Sequence, residues 1–65
     1  MTTTDIKALW LEENDVVYID ENSYRVIEVV PQSVPPLVDI HLRDEEGFKR
    51  ILTVSGDTEI PVLCD

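Results

Sequence analysis

This chain of 65 residues has little from which to build cross-links or chemistry. It holds one cysteine, Cys64, so no disulfide can form within it and oxidative stapling cannot support the fold. One Cys and one His, His41, cannot fill a zinc site. Two glycines, Gly47 and Gly56, rule out a Gly-rich phosphate loop. Basic residues number five against 14 acids, a net charge of −9. That balance repels phosphate backbones and anionic membranes, which argues against direct nucleic-acid or lipid contact and favours basic partners. No apolar run approaches the roughly 20 residues of a membrane span. The start, Met1-Thr2-Thr3-Thr4-Asp5, lacks the basic and apolar regions of a signal peptide. The sequence therefore reads as that of a cytoplasmic protein.

What is present points to strands. Hydrophobic residues make up 43% of the chain, enough for a core, and nine Val, six Leu and six Ile favour sheet over a helical bundle. There is no internal repeat, low-complexity tract or linker, so residues 1–65 form one domain, with 1–4 expected as a flexible start. Turn signals recur at short intervals, with apolar runs of four to eight residues between them, which suggests a small barrel or sandwich. Val16 to Ile19, Ser23 to Val30, Leu37 to Arg43, Phe48 to Val54 and Glu59 to Leu63 read as strands. In the third, Val38, Ile40 and Leu42 alternate with Asp39, His41 and Arg43.

Local irregularities are also legible. Glu28 interrupts the stripe of Tyr24 and Val26, and a bulge there would return Val29 to the core. The turn Asp20-Glu21-Asn22 offers Asn22 for a positive φ, and Gly47 does the same for the hairpin Asp44 to Gly47. Pro31 to Pro36 reads as a stiff, extended crossing loop. Pro61 confines the last strand to an edge or turns its missing donor outward. Phe48, Leu52 and Val54 are expected to face inward, with Tyr24 also in the core. Ahead of Asp15 two readings compete. One is an extended lead-in over Ile6 to Ala8 followed by a tight turn from Glu12 to Asp15. The other is one short helical turn carrying Ile6, Leu9 and Trp10 at helical spacing.

Ala8-Leu9-Trp10-Leu11-Glu12-Glu13-Asn14-Asp15-Val16 resembles the A-x-x-L-x-x-G-D-V opening of SH3-like barrels. Tyr24-Arg25-Val26-Ile27-Glu28-Val29 is similar to the Y-R-V-x-E-V strand of the translation-protein SH3-like group, of which the first domain of elongation factor P is an example. The match covers roughly residues 7–30. It implies an all-β, small SH3-like barrel of about five short antiparallel strands. Asn14 stands where the group has Gly, and the proline-rich segment has no counterpart of the basic functional loop of elongation factor P, so the fold carries over and the translation role does not. The short acidic chain, ending Asp57-Thr58-Glu59-Ile60-Pro61-Val62-Leu63, also resembles small proteins of actinobacterial phages.

Catalytic readings fail on spacing. His41 alternates with Asp39 and Arg43 on an outward face with no nucleophile nearby in sequence. Asp20-Glu21-Asn22-Ser23 lacks the spacing and closing Glu of a calcium loop. Asp57-Thr58 lacks the Gly of an aspartic-protease loop and reads as an Asx turn. Cys64 has no basic neighbour to lower its pKa and reads as a partly buried terminal residue. No enzyme activity, cofactor or metal is expected.

Binding is the better reading. The acids gather at turns, while the five bases look dispersed. Trp10, Glu12, Glu13, Asp20, Glu21, Asp44, Glu45 and Glu46 are the candidate protein-binding residues; for Trp10 the first reading is a lid on the core and an interface anchor is the alternative. The expected function is a non-enzymatic protein–protein interaction module whose acidic loops meet a basic partner, in the phage case a host protein. The alternative is a self-associating accessory protein that pairs through an exposed edge at Ile60 to Leu63.

Overall fold

The computed structural model describes residues 2–34 and 36–64. Six strands follow one another: β1 (Thr2–Lys7), β2 (Val16–Ile19), β3 (Asn22–Pro31), β4 (Leu37–Arg43), β5 (Lys49–Ser55) and β6 (Glu59–Cys64), with one 3-10 turn at Ala8–Trp10. All pair antiparallel in the order β1-β6-β2-β3-β4-β5. β1 and β5 are left as two edges, so the SH3-like barrel is open.

The lead-in combines both readings of the sequence, with an extended strand to Lys7 and then a single 3-10 turn. Residues 1–4 are expected to be a flexible start; Met1 lies outside the described residues, but Thr2 to Thr4 pair with Cys64 to Val62. The opening motif now has a physical explanation. Ala8 (0% exposed) and Leu11 enter the core. Asn14 takes φ 75°, the left-handed conformation that Gly adopts freely and Asn tolerates better than most residues. The Asn14 N–H then donates to the Val26 carbonyl and the Val26 N–H to the Asp15 carbonyl, both at 2.8 Å. Asp15 Oδ2 accepts the Glu12 N–H at 2.8 Å and locks the turn.

The core lies between the curled halves of the sheet. It consists of Ala8, Leu11, Val17, Val26, Val38, Ile40, Leu42, Ile60 and Val62, with Tyr24, Val29, Leu52 and Val54 packed against it. The alternation expected along β4 holds, with Val38, Ile40 and Leu42 buried. The register of β3 against β4 slips between Val26 and Glu28, so Ile27 is the extra residue of a bulge and Val29 returns to the core side.

Four expectations need correction. The segment from Pro31 to Pro36, with Pro35 outside the described residues, is a hairpin connection. The Gln32 N–H donates to the Leu37 carbonyl and the Leu37 N–H to the Val34 carbonyl, because β3 and β4 are direct neighbours. β6 lies inside the sheet. β1 pairs along its length, covering the edge expected at Ile60 to Leu63, and Val17 meets Val62 on its other side. Cys64 is exposed. At the β5–β6 turn the Ser55 hydroxyl accepts the Asp57 N–H at 3.4 Å, and among the described residues the Asp57 carboxylate accepts no backbone N–H but meets Lys7 Nζ, so there is no Asx turn at Asp57. Gly56 is buried there, and the site favours glycine because a Cβ would sit 3.3 Å from the Pro36 carbonyl oxygen and 3.4 Å from Leu9 Cβ.

On the outer face Asp39 Oδ1 accepts hydrogen bonds from Thr53 Oγ1 at 2.6 Å and Gln32 Nε2 at 2.7 Å. The Thr53 bond and then the Gln32 bond hold this carboxyl below its ordinary value of 3.8, partial desolvation opposes them, and the His41 charge adds a small pull. A depressed carboxylate stabilises the fold above its unfolded pKa, and that contribution is lost as pH falls through the folded value. Thr53→Val should therefore lower the urea midpoint at pH 7, and the gap to the parent protein should narrow as pH drops below 3.8. A gap that stays constant across pH would remove Asp39 from the explanation.

Candidate protein-binding site

Two hairpin turns meet at one end of the barrel. The first joins β2 to β3 with Ile19 opposite Asn22, leaving a two-residue loop of Asp20 and Glu21. Both loop residues have positive φ, 51° and 66°, the pattern of a type I′ turn whose twist suits a hairpin. The positive φ expected at Asn22 thus falls one and two residues earlier, and Asn22 Nδ2 instead donates to the Asp20 carbonyl at 3.0 Å. Asn-Gly is the favoured filling for such a loop. Asp and especially Glu hold it under backbone strain, and such strain concentrates at functional positions.

The second turn joins β4 to β5. The Asp44 N–H donates to the Phe48 carbonyl and the Gly47 N–H to the Asp44 carbonyl, both at 3.0 Å. Asp44 Oδ1 accepts the N–H groups of Glu46 and Phe48, both at 2.9 Å, and Gly47 has φ 92° as expected. Ser23 Oγ donates to Glu45 Oε1 at 2.8 Å and ties the two turns together.

Between them lies a cleft of about 580 Å³. Tyr18, Tyr24 and Phe48 line it, with Glu21, Glu45 and Glu46 among the acids and Arg50 in the wall. Among the described residues the one ion pair is Lys7 Nζ to Asp57 Oδ1 at 3.9 Å, so no basic side chain sits at ion-pair distance from the cleft carboxylates. The cleft therefore combines aromatic surface with carboxylates that outnumber its one basic residue, Arg50, and form no ion pair with it. That combination suits a cationic side chain, which gains from carboxylates and ring faces together.

The structure gathers four of the sequence candidates here, Glu21, Asp44, Glu45 and Glu46. Asp44 spends its carboxylate on the turn. Asp20 borders an adjoining groove with Ile19, Leu42 and Leu52. Trp10, Glu12 and Glu13 line neither the cleft nor the adjoining groove. Trp10 is 63% exposed, so it is no core lid, and Lys7 Nζ sits 5.0 Å from its ring centroid.

The aromatics and Arg50 are the residues that the sequence reading missed. Tyr18 was within reach, since it alternates with buried Val17. Phe48 is expected inward and is 66% exposed. It has the same parity as Arg50, Leu52 and Val54, but β5 begins only at Lys49, so Phe48 overhangs the barrel rim.

The fold and this site together define an open SH3-like barrel carrying a cleft at its hairpin end. Neither a family model nor a curated protein sequence matches the chain. Among solved structures it is similar to a translation initiation factor eif-5a family protein from Naegleria fowleri, with a TM-score of 0.75 and 19% identity over 95% of this chain. The match spans 47% of that protein, about half its length, and likeness at this identity shows the fold. It agrees with the SH3-like fold expected from residues 7–30. No helix among the described residues is long and apolar enough to cross a membrane.

Proposed function

We propose that the protein is a non-enzymatic binding module that takes a basic segment of a protein partner into the cleft between the β2–β3 and β4–β5 turns. The convergence of Glu21, Glu45 and Glu46 on Tyr18, Tyr24 and Phe48 carries this reading. On the resemblance to phage proteins, the partner would belong to the bacterial host. The carboxylates steer and orient the partner, and the aromatic surface supplies most of the contact energy.

Calorimetric titration with a capped arginine- and lysine-rich peptide tests the proposal. Affinity should fall several-fold between about 50 mM and about 300 mM salt, because exposed charges are screened over a shortening Debye length. Glu21→Gly should weaken binding about threefold, the value of one rim charge. The same change should raise stability by about 0.5–1 kcal/mol, since relief of a left-handed residue outweighs the entropy of glycine. Binding that ignores both salt and Glu21 would sink the proposal.

A further inference from the structure

Strand register shows that the bases are not dispersed. Arg25 on β3 stands opposite Arg43 on β4, and Arg43 stands opposite Lys49 on β5. Directly opposed residues point to the same face, so these three form one row on the outside of the barrel, on strands about 5 Å apart. All three are exposed, and among the described residues none makes an ion pair. Like charges directly opposite each other destabilise a sheet. A chain with 14 acids to place has nonetheless aligned three of its five bases. Sheet stability does not explain the row.

The row runs out at an edge. Among the described residues β5 pairs with β4 on one side and with no strand on the other. It is seven residues long and contains neither proline nor acid. Its outer-face positions are Lys49, Ile51, Thr53 and Ser55, and Ile51 is 61% exposed. An unpaired edge offers backbone donors and acceptors to any extended chain, and the side chains beside it select which chain.

We propose that β5 accepts an extended segment of a partner protein as a seventh strand, with Asp or Glu opposite Lys49 and a branched apolar residue opposite Ile51. The carboxylate completes the row Arg25–Arg43–Lys49 with the opposite charge, and the apolar side chain covers Ile51. The net charge of −9 limits the partner further, because a polyacidic stretch would be repelled as a whole. One acidic residue in register acts within the Debye length of about 8 Å and avoids that penalty. A second copy pairing β5 to β5 supplies no carboxylate, since the strand has none.

The test uses a capped seven-residue peptide with Glu, Val and Thr at the three alternate positions facing Lys49, Ile51 and Thr53. A second peptide carries Lys in place of Glu. In an amide-resolved NMR titration the Glu peptide should shift and protect β5 and bind about fivefold tighter than the Lys peptide, the size of a cross-strand charge pair. Lys49→Glu removes a like-charge contact, so the variant folds, and it should reverse the order of the two peptides. Shifts confined to another surface, an unchanged order in the Lys49→Glu variant, or no binding at about millimolar peptide would each overturn the proposal. So would a free protein that sediments as a dimer with its β5 amides already protected.

Discussion

Replacing Ile40 by alanine should remove about half of the folding stability at 25 °C. Ile40 is 0% exposed at the centre of β4, opposite Val29 on β3 and Leu52 on β5, and is among the largest fully buried side chains. Truncating such a residue costs about 2–5 kcal/mol, counting lost transfer energy and the cavity left behind. At about 0.05–0.15 kcal/mol per residue, a chain this short holds only about 3–10 kcal/mol in total. No disulfide can make up the difference, because there is a single cysteine. Ile40→Val removes one methylene and should cost about 0.5–1.5 kcal/mol, leaving a measurable folded state. Urea denaturation followed by circular dichroism gives both values. An alanine variant within about 0.5 kcal/mol of the parent protein would mean that the stabilising core does not centre on β4.

Phe48→Ala should separate binding from folding. The ring is 66% exposed, and the backbone N–H and carbonyl of residue 48, which close the β4–β5 turn on Asp44, survive the substitution. Stability should therefore stay within about 0.5 kcal/mol. Affinity for the basic peptide should fall about 30-fold, as for an aromatic anchor worth about 2 kcal/mol. Phe48→Tyr keeps the ring and should retain most of the affinity. Equal affinity for the alanine variant and the parent protein would take Phe48 out of the site.

The legible parts of this fold were those that local pattern determines. β4 declared itself through the alternation of Val38, Ile40 and Leu42, the bulge through Glu28 in an apolar stripe, and the last hairpin through Gly47. What failed depended on pairing between distant segments. Nothing within Thr2-Thr3-Thr4 reads as a strand; those residues become one because β6 lies beside them. The same pairing turned the expected edge of β6 into an interior strand. The binding residues divided along the same line. Acidic turns were visible one at a time, but only the fold brings Glu21 to Glu45 and Glu46 while leaving Glu12 and Glu13 elsewhere. Alternation gives the face of a side chain and not whether a neighbouring strand extends far enough to cover it, which is why pattern alone puts Phe48 inside and the structure leaves it exposed. The basic row was hidden for a related reason, since three residues on three strands align only once two registers and a bulge are known.

The pairing of β1 with β6 also bears on how the chain reaches this structure. β2 through β5 form a meander in which each strand follows its neighbour, so their hairpins close over short spans. Thr2 and Cys64, by contrast, are 62 positions apart and joined by a hydrogen bond. Closing so long a loop costs about 3–4 kcal/mol of chain entropy before any contact repays it. Formation of the meander brings the two ends within reach and removes most of that cost in advance. The expected folding order is hairpins first and the β1–β6 zipper last, with the zipper expected to lose amide protection first in hydrogen exchange.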